Sequence, residues 1–410
     1  MDLKKSGYLF LCFLFCIAQA ASAQKSSNPE VLRIDPGVAR GGSVSQLIDS
    51  MSFIPLESTA ESSFGRIDQL VVTDKYFIIL DKQTNAVLIF KRNGQLHAKI
   101  KGSRIGYTEK QHIYAFYFDK FTNLIQIPWR LSYFYYNTDG KLEKKMKVYQ
   151  PGIRLAFSKA FLNKNETAYY SYDSDTRLKD STAFALITAG DSIIHRKYFP
   201  YNMKTANLKS RDIFENTVFN PLNDTSVYFL RAYGYLVYIL SPDTLYEKYR
   251  FIFPAAMMLP ANFTTEPSLN YKREQFIQDH KKIIWGLGNF YQIEDELFFK
   301  ASDYSDNNSY LYNLKSHSLI CIDRIYPDEK SYFLPITDAQ INVDFKTHSF
   351  LAKYQNFLFT SYSSRVLFQQ KDMSKNKHSI YPSRLSKYLS NKQNERGNPV
   401  IVQMRFKPGL

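Results

Sequence analysis

A four-strand unit that recurs six times is the feature that most constrains how this chain can fold. In its first copy, apolar segments alternate with the polar turns TDK, DKQTN and KRNG, which is the pattern of four short antiparallel strands. Those strands are predicted at residues 67–72, 76–80, 86–90 and 95–100. Asn93-Gly94 in the last turn is typical of a two-residue hairpin and predicts a type I′ turn. One copy is therefore a four-stranded meander.

The same order of strand, turn, strand, loop, strand, turn, strand returns five more times. The later copies span 113–149, 156–199, 215–253, 289–325 and 350–381, the last with 365–370 as its third strand and a weak fourth strand near 378–381. A content of 31 Tyr and 32 Phe also favours strands, because aromatic side chains suit a pleated, half-buried surface. Four-strand repeats of about 40 residues predict an all-β fold, a six-bladed β-propeller of four-stranded antiparallel blades. The alternative, unrelated hairpins in separate sandwich domains, does not explain the constant order.

Four segments lie outside the repeat. MSFIPLE (51–57) and NPVIVQMRF (398–406) are strand-like, and an open propeller would expose the edges of its terminal blades. One or both are therefore predicted to complete the last blade. Residues 270–284 mix apolar and charged side chains without turn signals, which predicts a short helix inserted between blades four and five. Residues 383–392 predict another helix, with Ser383 as its N-terminal cap.

The N-terminus has the pattern of an export signal. Lys4 and Lys5 precede an apolar stretch, and the small residues Ala21-Ser22-Ala23 follow it. We therefore predict a signal peptide at 1–23 and a single propeller domain at 24–410, located in the periplasm or at the cell surface. A retained membrane anchor is the alternative, but no later stretch approaches about 20 apolar residues. Cleavage would leave Cys321 as the only cysteine, so no intramolecular disulfide could stabilise the exported protein.

Several segments carry a resemblance to a known family. Residues 52–100 contain an F-I-P-L-E strand followed by a hairpin ending in I-I-L-D, and residues 223–230 and 398–406 match a fourth-blade strand and a closing strand. In these segments the chain resembles the secreted six-bladed β-propellers of Bacteroidetes, which are similar to NHL-repeat propellers. The resemblance implies the fold and export, and it implies no reaction. The family's Gly-Pro-Gly-containing turn is replaced here by KGSRIGYTEKQHI (101–113), so a ligand contact of that turn is not carried over.

The chain is basic, with 53 Lys and Arg against 38 Asp and Glu and a net charge of +15. Such a charge can indicate a nucleic-acid or acidic-membrane partner. Its cations are spread along the chain, however, with no run of five. We therefore predict no nucleic-acid partner, and we expect an anionic glycan, a peptide or an envelope protein, unless the charge serves only solubility.

Motifs for nucleophilic catalysis, zinc binding and phosphate binding are absent, and the seven His residues are scattered. No cofactor or metal site is therefore predicted. In a propeller, the loops between second and third strands and the connections between blades surround one mouth of the central channel. Acidic and Arg side chains alternate at these positions, and Arg can bind carboxylate or sulfate oxygens in pairs. The candidate mouth residues are Asp81, Arg104, Tyr107, Trp129, Arg130, Arg154, Asp173, Arg231, Tyr233, Asp303, Tyr362 and Arg365.

These positions leave two functions open. The first is a non-catalytic, exported binding propeller, and within it the mouth residues could instead cap turns or pair with one another. The alternative is a metal-dependent hydrolase or lyase of the lactonase-like propeller type. That enzyme would need oxygen ligands in the channel, for which Asp68 and Asn216 on predicted innermost strands are the candidates, with Asp81, Asp173 and Asp303 nearer the rim.

Overall fold

Short segments rich in aromatic and β-branched residues form six sheets, so the protein is all-β and propeller-like. The computed structural model describes residues 28–108, 111–147, 158–170, 182–190, 193–202, 219–269, 272–305, 308–338, 344–377 and 379–410. The predicted signal peptide lies outside these ranges. No helix within them is long and apolar enough to cross a membrane.

The strands are numbered in chain order, and five of the six sheets consist mainly of four consecutive strands. Three strands come first: β1 (Glu30–Arg33), β2 (Arg40–Ser43) and β3 (Ile48–Pro55). Sheet one contains β4 (Gln69–Val72), β5 (Tyr76–Asp81), β6 (Ala86–Lys91) and β7 (Leu96–Lys101). Sheet two contains β8 (Tyr117–Asp119), β9 (Leu124–Trp129), β10 (Ser132–Tyr136) and β11 (Leu142–Lys147). Sheet three contains β12 (Ser158–Phe161), β13 (Thr167–Tyr170), β14 (Thr182–Gly190) and β15 (Ile193–Asn202).

The remaining sheets follow the same order. Sheet four contains β16 (Phe219–Pro221), β17 (Val227–Leu230), β18 (Leu236–Leu240) and β19 (Leu245–Ile252). Sheet five contains β20 (Gly286–Ile293), β21 (Glu296–Ser302), β22 (Ser309–Asn313) and β23 (Leu319–Tyr326). Sheet six contains β24 (Ala352–Tyr354), β25 (Phe357–Tyr362) and β26 (Val400–Phe406), followed by β3 from the N-terminal region. The helices are α1 (Val44–Leu47), α2 (Gly102–Ile105), α3 (Arg273–Asp279), α4 (Asp344–His348), α5 (Ser364–Met373) and α6 (Ser383–Ser390).

The first repeat forms as predicted, with strand ends that agree within two residues. Its last turn differs from the prediction, because Gly94 has a positive φ of 77° and Asn93 does not, which excludes a type I′ turn. The backbone N–H of Gly94 donates to Lys91, and that of Lys91 donates to Gln95. A side chain at Gly94 would also place its Cβ 2.4 Å from the carbonyl oxygen of Pro55. Glycine is thus required here both by conformation and by space.

The first strand of each sheet lies next to the first strand of a neighbouring sheet, and β24 of sheet six contacts β4 of sheet one. Apolar side chains fill the spaces between neighbouring sheets. Phe77 of sheet one packs edge-on against Phe359 of sheet six, with 6.0 Å between ring centroids, and Phe251 of sheet four packs against Phe299 of sheet five at 4.9 Å. The hydrophobic core is therefore distributed between sheets.

Both terminal segments complete sheet six, as expected. Strand β26 pairs antiparallel with β25 on one side and with β3 on the other. Phe53 and Ile54 of β3 are buried. The prediction of a third strand at 365–370 is wrong, because these residues lie in α5, whose N-terminus is capped by Ser363. Residues 379–381 form no strand either, since β26 and β3 occupy the third and fourth positions.

Two short N-terminal strands were not predicted. Strand β1 pairs parallel with β19 at the outer edge of sheet four, and β2 pairs parallel with β23 at the outer edge of sheet five. The Lys248 ammonium of β19 lies 3.9 Å from the Glu30 carboxylate of β1. Two of the six sheets are therefore five-stranded, which corrects the expectation of uniformly four-stranded blades. Four-residue strands such as these carry too little periodicity to be recognised in the sequence.

The predicted insertion between sheets four and five contains α3, which is shorter than the segment 270–284. The second predicted helix is α6, but its cap is Pro382 and not Ser383, and no side chain caps it. Ser383 is the first helical residue. The helix therefore begins as expected, and its capping chemistry differs.

Two polar side chains connect sheet six to the rest of the chain. The buried Asn398 amide accepts a hydrogen bond from the Phe64 N–H at 2.9 Å and donates to the carbonyl oxygens of Glu57 and Ser62 at 2.6 and 2.9 Å. The second side chain is Arg92, in the turn between β6 and β7 of sheet one. It donates to Gln403 Oε1 of β26 at 2.9 Å and lies over the Phe77 ring. Both contacts join residues that are far apart in sequence.

We expect truncation after Asn391, which removes β26, to give an aggregating or partly unfolded product. Removing this strand exposes the edges of β25 and β3 together with the apolar side chains between sheets one and six. Size-exclusion chromatography and circular dichroism of the truncated chain and of a chain starting at Gln24 would measure this. A monomeric, fully folded truncated chain would contradict it.

The substitution Asn398→Ala is expected to lower the free energy of unfolding by about 3 kcal/mol, because it leaves a buried N–H and two carbonyls without their partner. Urea denaturation measures this difference. Asn93→Ala, at an exposed turn position, serves as the control and should change the free energy by less than about 1 kcal/mol. Equal losses in the two variants would refute the role given to Asn398.

Candidate functional site

A cavity of about 1010 Å³ lies among the innermost strands, and we call it the central cavity. Strands β4, β8, β16, β20 and β24 contribute to its wall, so five of the six sheets surround it. The wall is mixed, with aromatic and aliphatic side chains, amides and a few charged groups. Its volume lies at the upper end of the range typical of ligand sites, which is about 300–1,000 Å³.

One end of the central cavity is bordered by the turns that follow the innermost strands. Here Lys120 reaches from sheet two towards sheet four, and its ammonium lies 3.5 Å from an Asp224 carboxylate oxygen and 3.2 Å from the Asn223 carbonyl oxygen. Both charged groups are exposed to solvent. The pair therefore narrows this end without contributing much stability.

Lys353 on β24 also lines the cavity, and its surroundings differ from those of Lys120. Burial lowers the pKa of its ammonium below the ordinary lysine value. Among the residues that the structure describes, the ammonium has no hydrogen bond and no ion pair. A half-buried cation without a counterion is unfavourable. The wall of the cavity therefore offers a position where a bound anion would be stabilised.

The opposite end of the cavity contains Asp68 and His348. One Asp68 oxygen accepts a hydrogen bond from the Arg66 guanidinium at 2.6 Å, and the other accepts from the backbone N–H of Lys82 at 2.7 Å. Burial, and then the charge of Arg66, lower the pKa of His348, which favours the neutral imidazole. Both oxygens of the Asp68 carboxylate therefore already accept hydrogen bonds from within the chain.

Metal binding at this end would need further ligands. In the described ranges, no group of three or more His, Cys, Asp or Glu residues is placed to hold a metal ion. Asn216, the other ligand predicted on an innermost strand, lies outside the described residues, as do the rim candidate Asp173 and the candidate mouth residue Arg154.

None of the ten candidate mouth residues that the structure describes lines the central cavity. Asp81 is fully buried and accepts hydrogen bonds from the N–H and hydroxyl of Thr84 at 2.8 and 2.5 Å. Asp303 is also buried, and it accepts from Ser305 in the same way. Both carboxylates therefore cap the turns in which they lie, as the alternative interpretation of these residues allowed.

Sheets four and six also differ from the prediction. Tyr362 is a core residue, 1% exposed, whose hydroxyl donates to the carbonyl oxygen of Pro335. Arg365 is exposed on α5. Tyr233 packs against Phe263 of the segment inserted between sheets four and five, at 5.2 Å between ring centroids. Arg231 lies over the Phe199 ring at 4.3 Å. Burial thus encloses the Tyr362 side chain in the core, and Tyr233 contacts the inserted segment.

Three candidate residues do come together, and we call them the Trp129 cluster: Tyr107, Trp129 and Arg130. The Tyr107 and Trp129 ring centroids are 4.1 Å apart, and the Arg130 guanidinium carbon lies 5.3 Å from the centre of the Trp129 ring. Burial raises the pKa of Tyr107, whose hydroxyl donates to the carbonyl oxygen of Pro128. Arg130 itself is exposed. The cluster therefore presents a guanidinium supported by an aromatic ring.

Arg104 lies on α2, close to the Trp129 cluster in sequence order but without a described contact to it. It is exposed. Burial raises the pKa of Tyr136, and the charge of Arg104 opposes this shift. The helix ends at Gly106, whose φ of 106° is in the left-handed region. A Cβ at Gly106 would lie 3.1 Å from the Trp129 indole nitrogen, so glycine allows the helix end to approach the ring.

Sequence reasoning missed a second lysine, Lys159 on β12. Its ammonium donates to Gln126 Oε1 and lies 4.0 Å from the centre of the Tyr133 ring and 4.7 Å from that of Tyr117. Burial lowers the pKa of Lys159 to about 7, and the charge of Asp119 opposes this shift. Lys159 therefore fills the space between sheets two and three with a polar contact.

A signal for both lysines was present in the sequence. Lys159 and Lys353 each lie within a short, largely apolar segment at the start of a predicted four-strand repeat, AFSKAFL and FLAKY. A charged residue at such a position must be paired, neutralised or directed into a cavity. Which of these applies depends on the neighbouring sheet, and the sequence pattern does not contain that information.

Comparison with known proteins places the chain in a family. A profile described as a domain of unknown function, DUF4934, matches residues 32–405. The chain belongs to the DUF4934 family. A search of curated proteins finds no match.

Solved structures show the relationship at the level of the fold. A Bacteroides fragilis protein described as exported has 16% identity and a TM-score of 0.64, over 92% of this chain and 99% of that chain. A duf4221 family member from Bacteroides vulgatus has 10% identity and a TM-score of 0.44, over 88% and 97% of the two chains. Virginiamycin B lyase from Staphylococcus aureus has 10% identity and a TM-score of 0.32, over 66% and 72%. The Bacteroides fragilis protein therefore shares the overall fold of this chain, and the likeness to NHL repeats stays a prediction.

Stability should depend on pH through Lys159. Its pKa in the folded chain is about 7 and its ordinary value is 10.5, so between these values the unfolded chain binds a proton that the folded chain does not. The free energy of unfolding should therefore rise with pH in this window, by about 1 kcal/mol per pH unit. Lys159→Met removes this contribution and should be more stable than the parent at pH 7.

Urea denaturation of the parent and of Lys159→Met at pH 7, 8 and 9 measures this contribution as the difference between the two chains. Titration of other groups cancels in that difference. Lys75→Met, at an exposed turn, is the matched control. A difference that is constant over the three pH values would mean that the Lys159 amine stays protonated.

Proposed function

We propose that the protein is an exported, non-catalytic binding propeller whose central cavity holds an anionic glycan. The single observation that carries this proposal is Lys353, a half-buried ammonium that lines a cavity of about 1010 Å³ without a partner among the described residues. A carboxylate or sulfate group of the ligand supplies the missing counterion. Hydrogen bonds to a charged group contribute about 1.5–3 kcal/mol when water is excluded.

The wall of the cavity favours a glycan over other anions of similar charge. Phe121 and Tyr354 lie near the end bordered by turns, and they offer apolar faces beside polar groups such as Asn123 and Gln355. Sugar rings present both hydroxyl groups and apolar C–H surfaces, which such a mixed wall accommodates. The volume suits several sugar rings rather than a single small anion.

The proposal includes a closed ring of six blades. Its support is the contact of β24 with β4, the packing of Phe77 on Phe359 and the hydrogen bond between Arg92 and Gln403. Each of these joins sheet six to sheet one. A closed ring gives the cavity a rigid wall, which reduces the entropy lost when a ligand binds.

Export is supported by two independent features. The first is the basic, apolar and small-residue pattern of residues 1–23. The second is the fold shared with a Bacteroides fragilis protein that is described as exported. We place the protein in the periplasm or at the cell surface, where anionic glycans are available.

The hydrolase or lyase alternative has weaker support. It needs several oxygen ligands converging on the channel, and Asp68 already accepts hydrogen bonds from Arg66 and Lys82 through both oxygens. The Trp129 cluster is a second possible anchor for an anionic group, because Arg130 is exposed beside an aromatic ring. The experiment below separates it from the central cavity.

Thermal-shift measurements on the mature chain test the proposal. A heparin-derived hexasaccharide and a galacturonic-acid hexamer should raise the melting temperature, whereas maltohexaose, which is neutral, should not. Lys353→Met should weaken binding about tenfold or more, and Lys75→Met should bind like the parent. Added salt should reduce the effect of the anionic ligands.

Two results would change the assignment. If Lys353→Met binds like the parent and Trp129→Ala with Arg130→Ala does not, the ligand binds at the Trp129 cluster instead of the cavity. If neither anionic glycan changes the melting temperature of the parent, the proposed ligand class is wrong.

A further inference from the structure

Strand β11 forms the outer edge of sheet two, and all six of its residues are exposed. The corresponding outer strands of sheets four and five, β19 and β23, are covered by β1 and β2. Within the part of the chain that the structure describes, no strand pairs with the outer side of β11. Its backbone N–H and C=O groups on that side are therefore available for pairing.

The fold itself shows that such outer edges accept an additional strand. Residues Glu30–Arg33 of β1 pair parallel with residues 249–252 of β19, and the added strand brings the Glu30 carboxylate to 3.9 Å from the Lys248 ammonium. Strand β2 adds to β23 in the same parallel orientation. An extended segment can thus extend a sheet of this protein outwards, with an acidic side chain facing a lysine of the outer strand.

The charge of β11 selects the kind of segment that fits. The Lys144 ammonium lies 4.8 Å from the Tyr135 ring and the Lys145 ammonium 4.8 Å from the Phe134 ring. Because Phe134 and Tyr135 are consecutive in a strand, these two lysines lie on opposite faces of the sheet. Lys141 and Lys147 add two further charges, and the acidic residue among them, Glu143, already accepts a hydrogen bond from Asn137.

Apolar surface accompanies these charges. Leu142 and Met146 are 45% and 47% exposed, and they flank Lys144 and Lys145 in the strand. Lysine on an edge strand opposes pairing with neutral or basic strands, since an added strand would bring charges together or bury an ammonium. An acidic strand with alternating apolar residues avoids both costs.

We propose that the outer edge of sheet two binds an acidic, extended segment of a second protein as a fifth strand parallel to β11. Backbone hydrogen bonds supply affinity, and Lys144 and Lys145 pair with acidic side chains on the two faces. This surface lies at the outer rim of the molecule, away from the innermost strands that line the central cavity, so it is independent of glycan binding.

Fluorescence anisotropy with the mature chain tests the charge requirement. The probe is a fluorescein-labelled heptapeptide of alternating Glu and Val, and the reverse-charge probe alternates Lys and Val. The acidic peptide should bind and the basic peptide should not. The double substitution Lys144→Glu with Lys145→Glu should weaken binding at least tenfold. Lys281→Glu with Lys282→Glu, an exposed lysine pair elsewhere, is the matched control and should bind like the parent.

A second pair of variants tests strand addition as opposed to simple charge attraction. Neighbouring amides of an edge strand point alternately inwards and outwards, so one of Lys144→Pro and Lys145→Pro removes an outward N–H and the other breaks a hydrogen bond to β10. The variant with the higher melting temperature should be the one that lacks the outward N–H, and it should lose peptide binding.

Hydrogen–deuterium exchange of the unsubstituted chain provides a readout that needs no variant. Bound acidic peptide should slow exchange of the β11 amides and leave those of β7 unchanged. Unchanged exchange in β11, or equal binding of the acidic and basic peptides, would overturn the proposal. Retained binding by the stable proline variant would overturn it as well, because contact would then not involve the strand edge.

Discussion

The pairing of β26 with β3 is the interaction on which the other features of this protein depend. It joins residues 400–406 to residues 48–55, so most of the chain lies in the loop that the pairing closes. Closing a loop of this length is entropically costly, and the backbone and side-chain contacts that the pairing makes offset this cost. Asn398 fixes this arrangement by bonding to three backbone groups near the start of sheet one. The central cavity exists because the first and last sheets are held side by side.

Two lysines on innermost strands show how the same residue type acquires different roles. Lys159 is enclosed by aromatic rings and Gln126, so burial lowers its pKa and its amine is held in the contact between two sheets. Lys353 lines the cavity and has no such partner among the described residues. The difference lies in the neighbouring sheet. Next to Lys159 it supplies a hydrogen-bond acceptor and aromatic rings, whereas next to Lys353 it leaves the open space of the cavity. We therefore treat Lys159 as structural and Lys353 as the anchor of a ligand.

At the outer rim, the important structural feature is the edge of each sheet and not the lining of a cavity. Here the exposed edges of sheets are the main hazard, because unpaired backbone groups promote association. The N-terminal strands β1 and β2 cover the edges of sheets four and five, and β3 forms the outer strand of sheet six. Strand β11 keeps an exposed edge with a high density of lysine. The chain thus covers the outer edges of sheets four and five itself, whereas within the described residues β7, β11 and β15 have no further strand on their outer sides.

Local sequence patterns were sufficient to predict much of the fold. They failed where contacts between segments distant in sequence decide the secondary structure or the burial of a residue. The alternation of apolar residues located β5 and β6 within one residue, and the terminal segments were recognised as closing strands, because strand period and unpaired edges are properties of short stretches. By contrast, residues 365–370 have a strand-like composition but form α5, since β26 occupies the third position of sheet six. Asp81 and Tyr362 have polar groups typical of binding sites, yet turn capping and core packing bury them. The surroundings of Lys353 were likewise set by the arrangement of sheets. The sequence by itself determined the strands and their order, whereas the tertiary structure decided which side chains face the cavity, because neighbouring sheets define that environment.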